Sequence, residues 1–214
     1  MSKHTHQSVL LLGNVGAGKS TLMDILCDHL PLLPVPADKF FQENPFFPLA
    51  LEDRQRWTFT SNTWFLYKRA QLLKETEQLL EKSDIIIDSG LLMSYAYSYL
   101  AFQRGSLSED EWQLYTDLYQ ELSRDVRPPD LVLHLQLSIP ALQERIKHRG
   151  RAYEIEKYNP EFLEMLENAI QHSVDKFHAD HPTSVIVPLT ESDLDFGNQQ
   201  QLLRRIQKLL TPTL

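Results

Sequence analysis

Short unbroken apolar runs alternate along the chain with longer stretches whose apolar residues recur at helical spacing. The runs read as strands buried on both faces, the stretches as amphipathic helices. Strands are predicted at 8–12, 32–35, 84–88, 131–137 and 184–188. Helices are predicted at 19–30, 54–82, 91–103, 108–124 and 198–210, with another starting after Ser138 and holding Pro140 in its first turn. This alternation predicts an α/β fold, a parallel sheet flanked by helices. Two stretches read as loops: 34–50, dense in proline and phenylalanine, and 150–160, after an arginine-rich helix end. Core elements lie on both sides of each, so neither is a linker and residues 1–214 form one domain.

Composition narrows the function classes. A chain of 214 residues closes one full core. Its formal charge of −8 argues against a nucleic-acid partner, because an acidic surface repels phosphate backbones. The single cysteine, Cys27, forms no intrachain disulfide and suits a reducing cytoplasm. The run at 9–12 is too short for a signal-peptide core or a membrane span. Residues 1–7 are polar and expected to be flexible, which favours His4 and His6 as terminal histidines over a metal pair.

Residues 13–20 read GNVGAGKS, the P-loop pattern, between a predicted strand and a predicted helix. Gly13, Gly16 and Gly18 allow positive φ and close approach of backbone to ligand. The amides of the loop, through Asn14, Val15, Ala17 and on to Thr21, are then expected to cradle the phosphates of ATP at a helix N-terminus. Lys19 reaches the outer phosphates and Ser20 offers a hydroxyl to Mg²⁺. Asp88, ending a strand, reads either as a second magnesium residue or as a turn or cap acid. No guanine-reading N-K-x-D motif follows.

Downstream, Arg145 and Arg149 lie four residues apart, and Arg151 follows Gly150. Two readings stand: a lid over about 149–160 that closes guanidiniums on a moving phosphoryl group, or a solvated helix end whose cations suit the dipole. With a P-loop upstream the lid is preferred. On the long helix, Phe59, Asn62, Leu66 and Arg69 share one face. They form either an acceptor pocket with an aromatic wall or an apolar stripe interrupted by satisfied polar groups. Trp57, Trp64 and Phe65 read as core.

The stretches GNVGAGKST at 13–21, ENPFF at 43–47, RQRWTFTSNTWFLYKR at 54–69, IIIDS ending at Ser89 and RPPDLVLHLQLSIPALQERIKHRGRAYE at 127–154 together resemble the deoxynucleoside kinase family. That family includes bacterial deoxyadenosine and deoxyguanosine kinases. The resemblance implies a P-loop NTPase-type three-layer fold with a five-stranded parallel sheet, a homodimer, and ATP with Mg²⁺. It also implies transfer of the γ-phosphoryl group to a nucleoside 5′-hydroxyl. It places a general base near Asp38, a 3′-hydroxyl partner at Glu154, and an adenine-covering loop at Asp193 and Phe196. Lys19, Arg149, Arg151 and Asp38 are then the catalytic set. Asp38, Phe59, Asn62, Arg69, Asp88 and Glu154 face the acceptor. The sequence departs from the family pattern on the nucleoside side. Ser89 stands for an arginine, Ser94 for an aspartate, Asn62 for a glutamine and Leu51 for a tyrosine. Two rival functions therefore remain at this stage: a nucleoside monophosphate kinase, and a kinase-like ATP-binding protein with little transfer activity.

Overall fold

A computed structural model describes residues 6–37, 40–194 and 199–210. Its five strands are β1 (Ser8–Gly13), β2 (Leu32–Pro36), β3 (Asp84–Asp88), β4 (Leu131–Leu135) and β5 (Val185–Leu189). They form one all-parallel sheet in the order β2-β3-β1-β4-β5. All six residues of β1 are buried, as its unbroken apolar run demands of a central strand. The register sets Leu11 beside Asp88 and Gly13 beside Leu135. The chain leaves β1 toward β3's side of the sheet and later returns to β4's side. The crevice outside the carboxyl ends of these three strands is where such sheets bind ligands.

Ten helices cover the sheet among the described residues: α1 (Lys19–His29), α2 (Phe40–Glu43), α3 (Phe47–Glu52), α4 (Arg54–Thr76), α5 (Leu91–Gln103), α6 (Glu109–Ser123), α7 (Ile139–Arg149), α8 (Ala152–Lys157), α9 (Pro160–Asp180) and α10 (Gln199–Leu210). Local chemistry sets their ends. Asp53 accepts from the Arg56 amide to start α4, and Ser108 with Glu111 forms a full capping box on α6. Ser138 caps α7, Pro140 sits in its first turn, and Gly150 closes it at φ 75°. The α5 helix, apolar nearly all round, packs between α4, α6 and α9.

Four stretches differ from the sequence prediction. The loop expected at 34–50 contains α2 and α3, and that at 150–160 contains α8. The long helix stops at Thr76, whose hydroxyl donates back to the Leu73 carbonyl at 2.6 Å. The sequence reading left 160–180 unassigned, yet α9 is among the longest elements. Asn159 accepts from the Phe162 amide and Pro160 takes the first turn. An Asn-Pro pair serves a loop and a helix start equally well, so it did not decide between them. Ahead of β1, Gln7 donates its amide to Asp84, 2.8 Å away.

Candidate active site

The Gly13–Ser20 loop joins β1 to α1. Gly13 has φ 152°, and a Cβ there would lie 2.7 Å from the Leu135 carbonyl. Gly16 has φ 79°, and its Cβ would lie 2.9 Å from Ile146 Cγ1. Both positions therefore demand glycine. Lys19 Nζ donates to the carbonyls of Gly13 and Asn14 at 2.8 and 3.0 Å, folding over the loop. Ser20 Oγ donates to Asp88 Oδ2 at 2.7 Å, and Ser89 Oγ donates to Asp88 Oδ1 at 3.0 Å. Asp88 is fully buried. The hydroxyl and carboxylate that sequence assigned to magnesium are thus brought together.

A cleft of about 720 Å³ runs from this loop along α4 and α5. The two helices run antiparallel there: Arg69 Nη1 donates to Ser94 Oγ at 2.8 Å, and Asn62 Nδ2 donates to Ser98 Oγ at 3.0 Å. Arg69 is buried, with its guanidinium 5.2 Å from the Phe65 ring centroid. Tyr115, whose phenol burial holds un-ionised, donates to the Ser94 carbonyl at 2.9 Å. Asn62 and Arg69 line the cleft. Phe59, expected as its aromatic wall, instead packs against the core. Phe65, expected as core, lines the cleft together with Phe41 and Phe47.

Arg149 and Arg151 converge on one carboxylate. Arg149 donates Nε to Glu154 Oε2 at 2.9 Å and also engages that oxygen through Nη2; Arg151 Nη1 donates to Oε1 at 3.1 Å. Tyr153 donates its hydroxyl to the same Oε1 at 3.1 Å, and burial, then the Glu154 charge, pushes its phenol pKa up. Glu154 is 2% exposed. Arg151 also sits over the Phe41 ring, 4.9 Å from its centroid. Arg145 reaches the P-loop directly and donates to the Ala17 carbonyl at 3.0 Å.

Other expected residues fall elsewhere. The Asn14 side chain turns from the cleft toward α9 and donates to the Leu163 carbonyl at 2.8 Å. The Asp193 carboxylate accepts from the Thr190 amide at 2.9 Å and from Arg205 at 3.0 Å, so it closes its own turn. Asp38 and Phe196 lie outside the described residues. The β2 strand preceding Asp38 ends at Pro36, in register with Asp88.

Sequence reasoning missed Asn44, which is 2% exposed and donates to the Ser61 carbonyl and hydroxyl at 3.2 and 3.1 Å. Its own carbonyl accepts from the Phe46 amide at 2.9 Å, so it clamps the segment carrying Phe41 and Phe47 onto α4. The ENPFF stretch held the signal, a polar residue among aromatics. Also missed were Arg54 and Arg104, which line the far end of the cleft. Lys19 and six arginines line it against one carboxylate, Glu154, among the described residues. Such a lining suits a polyanionic ligand. The described residues hold no cluster of three or more His, Cys, Asp or Glu side chains able to take a metal. Nor is any described helix long and apolar enough to cross a membrane.

Comparison with known proteins agrees with this geometry. The family model for deoxynucleoside kinase matches residues 10–211. A deoxyadenosine kinase from Lactobacillus acidophilus is 25% identical over 216 residues, covering 95% of this chain and 96% of that protein. A deoxyguanosine kinase from Bacillus subtilis is 24% identical over 204 residues, covering 95% of each. Among solved structures, the deoxyadenosine kinase of M. mycoides with bound dATP superposes with a TM-score of 0.78 at 24% identity, covering 96% of this chain and 100% of that one. That likeness extends to the whole five-stranded P-loop fold. The chain belongs to the deoxynucleoside kinase family, phosphotransferases that act on an alcohol acceptor.

Proposed function

We propose that this protein transfers the γ-phosphoryl group of ATP to the 5′-hydroxyl of a deoxynucleoside. One observation carries the reading: a single cleft joins the P-loop to a polar acceptor wall on α4 and α5, beneath the lid arginines. Donor phosphates and acceptor hydroxyl can therefore meet in one cleft.

The residues divide the work. Amides of the Gly13–Thr21 segment hold the phosphates, and Lys19 releases its two carbonyls to reach them. Arg149 and Arg151 each spend only part of their donor set on Glu154. A guanidinium carries five N–H groups, so each arginine keeps donors with which to stabilise charge on the transferring phosphoryl. Ser20 and Asp88 would hold Mg²⁺: both offer hard oxygen atoms, already adjacent at the loop. When bound, that ion neutralises charge on the outer phosphates. Asn62 and Arg69 orient the base, and Glu154 braces the lid beside the sugar. Asp38, two residues beyond the end of β2, takes the hydroxyl proton. A homodimer in a reducing cytoplasm completes the reading. Burial raises the pKa of the Cys27 thiol, and Asp24 and Asp28 add to it, which favours the neutral thiol over the thiolate.

The test is a transfer assay with Mg-ATP and a pool of ribo- and deoxynucleosides, with products read by mass spectrometry. A new deoxynucleoside monophosphate is the expected product. Competition by a monophosphate but not its nucleoside would instead make the monophosphate the acceptor. ATP binding with no product from any acceptor would leave a binding protein. Asp38→Asn is expected to lose at least about a hundredfold in kcat while binding ATP normally; near-native turnover would remove Asp38 from the base role.

A further inference from the structure

The buried Asn14 amide has only one workable orientation. Its Nδ2 donates to two acceptors, the Leu163 carbonyl at 2.8 Å and Glu167 Oε2 at 3.0 Å. Its Oδ1 accepts from the Val15 amide at 2.8 Å. Exchanging the two ends would set oxygen against two acceptors and nitrogen against a donor. The side chain therefore fixes the Asn14–Val15 peptide from the α9 side, while Lys19 grips the Asn14 carbonyl from the other at 3.0 Å. At the far end of the loop, Arg145 donates to the Ala17 carbonyl at 3.0 Å.

These anchors come from the two helices that flank the lid. Arg145 stands on α7, before the lid segment, and Glu167 stands on α9, after it. The P-loop is thus tied at residue 17 to one support of the lid and at residue 14 to the other. Glu167 is the unexpected member. An acid beside a phosphate site opposes anion binding unless it serves another purpose. Burial raises its pKa, against the pull of Asn14 and Lys19. Its side chain is 28% exposed, and its second oxygen lies 3.8 Å from His134 Nε2, too far for a hydrogen bond. Its hydrogen-bonded partner is Asn14.

We propose that Glu167 is a positioning residue for phosphoryl transfer: acting through Asn14, it holds the P-loop in its phosphate-binding shape and in register with the helix that follows the lid. The proposal rests on the P-loop's role as the ATP site in the kinase reading, and it adds a residue that touches neither substrate. What matters is the acceptor oxygen at Oε2 rather than the charge, since glutamine offers the same oxygen.

The experiment measures the Kd for Mg-ATP by calorimetry, without any acceptor, so that an error in the acceptor assignment does not affect the outcome. Glu167→Met keeps side-chain length and helix propensity but removes the acceptor, and Glu167→Ala removes both. Both are expected to raise Kd by up to about tenfold, the scale of losing one buried hydrogen bond. Glu167→Gln is expected to stay within about twofold of the native protein. Asn14→Ala removes this bond together with those to the Leu163 carbonyl and the Val15 amide, so it should raise Kd at least as much as Glu167→Met, and the double variant should bind within about twofold of Asn14→Ala, because Glu167 acts only through Asn14. Thermal melts identify any variant that fails to fold, and the Met–Gln comparison stands if alanine does not. Native-like binding by Glu167→Met, binding by Glu167→Gln as weak as by Glu167→Met, or additive effects of the two single changes would each overturn the proposal.

Discussion

His134 makes a pH-dependent contribution to stability whose sign and size follow from its place in β4. The imidazole is 2% exposed, and its Nε2 has no hydrogen-bond partner among the described residues. Glu167 Oε1 lies 3.8 Å away, while Gln136 meets the other ring nitrogen at 3.3 Å. Burial holds its pKa down at about 4, against an ordinary 6.5, with Asp175 pulling weakly the other way. The unfolded chain binds the proton near 6.5, whereas the folded chain resists it until about 4. Stability is therefore complete above the first value, falls as pH drops between them, and levels off below the second. That gap is worth ~3 kcal/mol in all, with about 2 kcal/mol already lost by pH 5. For a fold of marginal stability this is a large share. Urea unfolding of the native protein and of His134→Gln, between pH 7.5 and 4.5, measures it. Glu191 and Asp193, whose pKa values lie below the usual carboxylate range, also lose stability as pH falls. They do so in both proteins, so the difference between the curves isolates His134. The expected result is a difference that shifts by about 2 kcal/mol in favour of the variant between pH 7.5 and 5. Parallel curves would refute the reasoning, as would an imidazole NMR titration for His134 centred near 6.5.

Two further predictions concern the walls of the cleft. Asn44→Ala removes the clamp of α2 and α3 on α4 and leaves the Phe46 amide without its acceptor. It should cost about 1–3 kcal/mol in denaturant unfolding and open the 40–53 segment to limited proteolysis; unchanged stability and protease resistance would show that the clamp is idle. Asp88→Asn should raise the magnesium concentration needed for half-maximal activity by at least about tenfold. Nucleotide binding in excess chelator should be unaffected, and a loss of that binding would mean that Asp88 shapes the loop instead.

Legibility of the chain follows how local each signal is. The P-loop was fully legible, because each of its glycines meets a steric demand that one residue type satisfies. The strands were legible from short apolar runs, most clearly β1 and β4, which are buried along their whole length. The α4 wall was legible in spacing but not in orientation. The reading chose the stripe of Phe59, Asn62, Leu66 and Arg69. The cleft is lined by Thr58, Asn62, Phe65 and Arg69, whereas Leu66 is wholly buried. Two neighbouring stripes on this helix mix apolar and polar residues about equally, and periodicity cannot say which of them α5 covers. Glu167 and Asn44 were illegible for a different reason. Each acts through a partner far away in sequence, Asn14 at a separation of 153 residues and Ser61 at 17. Nothing near Glu167 distinguishes it from an ordinary polar side chain, and the aromatics around Asn44 mark its stretch without naming its partner.

The charge pattern explains how an acidic protein serves a polyanionic substrate. The chain carries −8 overall, yet its cleft gathers Lys19 and six arginines around a single carboxylate. Low-dielectric walls focus that positive field on a small recessed volume. Within the cleft the guanidiniums repel one another, and Glu154 answers that repulsion. By accepting from Arg149 and Arg151 together, it holds two cations side by side before any phosphate arrives. The carboxylate therefore moves part of the cost of ordering these two side chains from the moment of binding to the moment of folding, which is the physical content of preorganisation at this site.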